Sequence, residues 1–149
     1  MSNYKKTQYG FLISTISILS IIAIVLLYMY PLGNNPMPVS ILIILLITFI
    51  FAFLFFYKLT ISIDDTRITA SLGIGLLKRS MLIDHIDFET LEKITPTLIT
   101  GIGIRHTTKG WLWNVKVGDA IYFKNKAKSK NFLVGTDEFE TITNILNQK

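Results

Sequence analysis

FLISTISILSIIAIVLLYMY, residues 11–30, and VSILIILLITFIFAFLFFY, residues 39–57, decide the architecture of this 149-residue chain. In the first run only Ser14, Thr15, Ser17 and Ser20 are not apolar, and in the second only Ser40 and Thr48 are polar. As a helix rising about 1.5 Å per residue, each run reaches close to 30 Å, the thickness of a bilayer's hydrocarbon core. Between them lie Pro31, Leu32, Gly33, Asn34, Asn35, Pro36, Met37 and Pro38. Proline cannot continue a helix, so residues 31–38 read as a tight turn and the two runs as a transmembrane helical hairpin.

The charges agree. The chain has 15 Lys and Arg and 10 Asp and Glu, yet the 51 residues from Thr7 to Tyr57 contain none of these and no histidine. A soluble globule does not segregate charge this way. A signal peptide is the rival reading of residues 11–30, but the run is too long and no small-x-small site follows it. A buried core helix is the other rival, but neither run has a polar face. Lys5 and Lys6 precede the first helix, Lys58 and Arg67 follow the second, and the turn has no positive charge. By the positive-inside rule both termini face the cytoplasm. The expected organisation is a cytoplasmic tail over residues 1–10, helices over 11–30 and 39–57, and a cytoplasmic domain over 58–149.

Residues 58–149 change period. Leu59, Ile61 and Ile63 alternate with Thr60 and Ser62, and Asp64-Asp65 turn the chain. Further short runs follow at 67–71, 76–83, 89–95, 98–105, 111–116, 120–124 and 131–134. The pattern predicts a small antiparallel barrel or sandwich of about seven strands. Phe139, Ile142, Ile145 and Leu146 then share one face of a closing helix, with Thr136 or Asp137 placed to cap its start.

Gly101-Ile102-Gly103-Ile104-Arg105, Lys109-Gly110-Trp111, Asn114-Val115 and Gly135-Thr136-Asp137 resemble the motifs of bacterial membrane-anchored pleckstrin-homology-like (PH-like) proteins. The resemblance implies a two-helix anchor, a mainly-β PH-like domain with a C-terminal capping helix, and a bacterial cell membrane. It implies no reaction. Nor does it imply phosphoinositide binding, because the first hairpin turn, Asp64-Asp65-Thr66-Arg67, begins acidic where lipid-binding relatives are basic.

Chemistry-bearing constellations are few. With no cysteine there is no disulfide, thiolate metal site or thiol nucleophile. His85 and His106 lack a matching carboxylate spacing for a metal, and no catalytic triad is signalled. The glycines at 73, 75, 101 and 103 precede strand-like residues, not a helix N-terminus, so they do not read as a phosphate loop. No catalytic residue, metal, cofactor, small-molecule substrate or nucleic-acid site is therefore expected.

Two features remain. Trp111 and Trp113 share a strand face, as core packing or as a contact for a protein partner or the bilayer interface. Lys124, Lys126, Lys128 and Lys130 surround one turn, as a solvated edge or as a contact for an anionic leaflet. The function expected is a non-enzymatic module presenting a protein-interaction surface at the inner leaflet, with a partner chain or a second copy. The alternatives are a lipid-binding domain using the lysine turn and an accessory subunit of a membrane enzyme or transporter.

Overall fold

The structure, a computed structural model, describes residues 4–33, 36–97, 102–126 and 131–148. Nine strands and three helices follow in the order β1 (Tyr4–Tyr9), α1 (Phe11–Met29), α2 (Val39–Phe56), β2 (Lys58–Ile63), β3 (Arg67–Leu72), β4 (Leu77–Leu82), a 3-10 turn (Ile83–His85), β5 (Ile86–Ile94), β6 (Gly103–Thr107), β7 (Gly110–Asn114), β8 (Ala120–Asn125), β9 (Phe132–Gly135) and α3 (Phe139–Asn147). One sheet has the order β1-β2-β3-β4 and the other β5-β8-β9-β7-β6.

Helices α1 and α2 are each long and apolar enough to cross a membrane. They pack against each other. No residue of α2 is buried, and in α1 only Ser17 and Ile24 are. Those two stand seven residues apart, on one face, as a small polar residue does at a helix–helix contact in lipid.

In β2 and β3, period-two patterning puts Leu59, Ile61, Ile63, Ile68, Ala70 and Leu72 into the core. Asp64 closes the hairpin by accepting the backbone N–H groups of Thr66 and Arg67, both at 2.8 Å. These bonds favour the charged carboxylate and hold its pKa below the usual range. The second sheet faces this core with Ile121, Phe123, Phe132 and Val134. Phe123 and Phe132 stack with centroids 4.8 Å apart. Helix α3 closes the core with Ile142 and Leu146, with Phe139 and Ile145 packed alongside. Each such buried aliphatic side chain contributes about 2 kcal/mol. Glu138, not Thr136 or Asp137, is the helix N-cap residue; the Thr136 hydroxyl accepts the Glu138 N–H at 3.1 Å.

The sequence expectation of about seven strands is corrected to nine, in two sheets of four and five. The strand expected over 98–105 is β6, beginning at Gly103; residues 98–101 lie outside the described residues. The larger correction concerns the expected tail of residues 1–10. Tyr4–Tyr9 is a strand, paired antiparallel with β2 in the register Tyr4↔Ile63 to Tyr9↔Lys58. The helical hairpin is thus an insertion between two neighbouring strands of the β domain. The inward positions of β1 are Tyr4, Lys6 and Gln8, opposite Ile63, Ile61 and Leu59. They are polar, so no apolar alternation announces the strand. Their partners lie across the core: Tyr4 and Lys6 donate to Glu138, and Gln8 donates to the Gly135 carbonyl at 2.9 Å.

Strand directions define two poles. Chain entry at Tyr9, chain return at Lys58, the β3–β4 turn and the turn after β7 share the pole at the helices. The β2–β3 turn, Leu82 and the end of β8 lie at the other.

Candidate functional site

Strands β4 and β6 are the facing edges of the two sheets, and a groove opens between them. Period-two patterning aims Leu77, Arg79 and Met81 of β4 inward, opposite Leu72, Ala70 and Ile68. Arg79 is therefore an arginine at a core-facing position of an edge strand. It resolves this by crossing to the other sheet. One guanidinium nitrogen donates to the Trp111 carbonyl at 3.1 Å and the other to the Asn131 carbonyl. Partial burial pulls its pKa down, and no carboxylate of the described residues forms an ion pair with it.

The opposite wall is the inner face of β6 and β7, where Ile104 pairs Trp113 and His106 pairs Trp111. Trp113 is half-buried against the core, whereas Trp111 is 51% exposed. The His106 ring meets the Trp111 ring edge-on, with centroids 5.4 Å apart. Gly110 opens β7 at φ 120° beside Asn131, whose side-chain amide donates to the Lys109 carbonyl at 2.9 Å. The groove encloses about 710 Å³ between Lys78, Arg79, Ile104, Trp111, Trp113 and Asn131. At Lys78 and Arg79 it adjoins a second hollow of about 470 Å³, which Arg67, His85 and Asn125 help to line. Among the described residues, no Asp or Glu lines either hollow. The site is cationic on one side and aromatic on the other.

Trp111 and Trp113 are thus brought together with Arg79. The lysine turn is not part of the groove. Lys124 is the penultimate residue of β8, opposite Asp87, and Lys126 donates its backbone N–H to the His85 carbonyl at 2.8 Å and its ammonium to the Asp84 carbonyl at 3.2 Å. Both stand at the pole away from the helices; Lys128 and Lys130 lie outside the described residues. His85 and His106 are exposed, and no group of three or more His, Asp or Glu is gathered among the described residues.

Sequence reasoning passed over Arg79. Its signal was available: in Leu77-Lys78-Arg79-Ser80-Met81, a charge occupies an inward position flanked by apolar ones. Such a position needs a specific partner.

The chain matches no family model, no curated protein and no solved structure.

Proposed function

We propose that this chain is a two-pass protein of the cell membrane. Its β domain, on the cytoplasmic side, is a non-enzymatic binding module. The groove between β4 and β6–β7 receives an acidic segment of a protein partner that also carries an apolar or aromatic side chain. Exposed Trp111, lining one groove with Arg79 and accepting from it at its backbone carbonyl, carries this reading, because Arg79 is a cation with no carboxylate partner among the described residues. Aromatic and arginine side chains in desolvated pockets supply most of the binding energy at protein interfaces. Among the described residues β4 and β6 are the outermost strands of their sheets on this side, and an outer strand can accept an extended segment by strand addition. The positive charges flanking the hairpin support the orientation. The PH-like reading rests on the Gly103-Ile104-Arg105, Gly110-Trp111, Asn114-Val115 and Gly135-Thr136-Asp137 motifs.

The anionic-leaflet reading of the lysine turn has less support. Lys124 and Lys126 are separated from the helix pole by the length of β8, roughly 20 Å for six residues. Surface charges are screened over about 8–10 Å at physiological salt.

The test places a photo-crosslinking residue at position 111 of the full-length protein and irradiates native membranes. The reading expects a discrete protein adduct, with another chain or a second copy, that Lys78→Glu diminishes. Adducts to lipid alone, or none, would overturn it.

A further inference from the structure

The β3–β4 turn, Gly73 to Leu76, has an unusual composition for a hairpin tip. Its two side chains are Ile74 and Leu76, 54% and 70% exposed, where soluble hairpins carry polar turn residues. It sits against the end of α2. The Ile74 N–H donates to the Leu54 carbonyl at 3.2 Å. Leu54 belongs to the last turn of α2, whose carbonyls have no partner within the helix. Gly73, at φ 55°, lies so close that a Cβ there would stand 2.0 Å from the same carbonyl oxygen. The turn is therefore fixed to the helix at the level of Leu54, about 3 Å inside its end. Two cations flank it: Lys58, with its ammonium 5.0 Å from the Tyr57 ring centre, and Lys78, whose stem runs beside Gly75.

We infer that this turn is a lipid-inserting wedge. Ile74 and Leu76 enter the headgroup–acyl boundary of the leaflet that α2 exits, while Lys58 and Lys78 extend toward the phosphates. The occupant is the bilayer because the patch is continuous with the apolar surface of α2. The wedge rests on the membrane reading of the hairpin and adds to it. The domain is held at a fixed height and tilt by three points, the two helix ends and this turn.

The protein has no cysteine, so single cysteines introduced at Ile74, Leu76, Ile47 and Thr66 can carry an environment-sensitive fluorophore. The labelled full-length proteins are placed in vesicles containing lipids spin-labelled at a shallow acyl carbon, or at a deep one. The wedge predicts blue-shifted emission at 74 and 76 and loss of most of it to the shallow quencher, with no response at 66. If 47 is quenched by the deep probe but 74 and 76 behave like 66, the wedge fails and the hairpin stands. If 47 is not quenched either, the membrane reading fails and takes the wedge with it.

Discussion

Gly10 donates its backbone N–H to the carbonyl of Tyr57 at 2.8 Å. One residue separates β1 from α1 and one separates α2 from β2, so the ladder of the β domain continues to the base of the hairpin. The domain cannot swing on a tether. Whatever the groove binds is held at a set distance from the helices.

This junction leaves no room at Gly10. An added Cβ would lie 2.6 Å from the Phe56 carbonyl oxygen and 3.0 Å from that of Val115. The backbone there, at φ −85°, is not in the left-handed region that favours glycine, so the argument for a cost rests on space. Gly10→Ala should destabilise the domain by about 1–3 kcal/mol, as overpacking does elsewhere. Thermal unfolding of the full chain in detergent measures this. An unchanged midpoint would mean that the junction is loose.

Glu138 ties α3 to β1. Hydrogen bonds from Lys6 and Tyr4 hold its pKa below the usual carboxylate range, and the same bond raises that of Lys6. A depressed acid stabilises the fold above its unfolded pKa and loses that contribution as pH falls through the folded value. A raised lysine contributes below its unfolded pKa and loses it as pH rises through the folded value. The pair is therefore at full strength between about pH 5 and 10. Glu138→Gln should lower the unfolding midpoint at pH 7, and the difference from the parent protein should shrink below pH 4. A constant difference across that range would exclude the ion pair as the cause.

The two tryptophans should separate by readout. Trp111→Ala removes an exposed ring and should leave stability within about 0.5 kcal/mol while abolishing partner capture. Trp113→Ala opens space beside the core and should cost about 2 kcal/mol. Chemical denaturation of both variants checks this. Equal losses would place both rings in the core and remove the binding role of Trp111.

The hairpin was legible because 51 charge-free residues admit few other structures, and β2 and β3 because their apolar alternation is regular. Helix α3 was legible from one spaced face. β1 was not, because Tyr4, Lys6 and Gln8 occupy inward positions whose partners, Glu138 and Gly135, are more than 120 residues away. The insertion of the hairpin follows from that register and was hidden with it. Of the site, Trp111 and Trp113 were visible as a pair on one face. Arg79 became visible only when β4 was paired with β3 and its direction fixed. The placement of Lys124 and Lys126 away from the helices likewise depends on which way β8 runs.

The pairing of β1 with β2 across the hairpin is the claim on which the rest depends. Thr7 and Thr60 are register partners whose hydroxyl oxygens lie 3.0 Å apart. Thr7→Cys with Thr60→Cys would place two thiols side by side across this pairing in an otherwise cysteine-free chain. Ser62→Cys with Thr69→Cys, partners on β2 and β3, gives the internal standard. Mild oxidation of full-length protein in native membranes should close both pairs to a similar extent. Closure of 62–69 without 7–60 would contradict the account, returning residues 4–9 to a tail and the hairpin to a separate anchor.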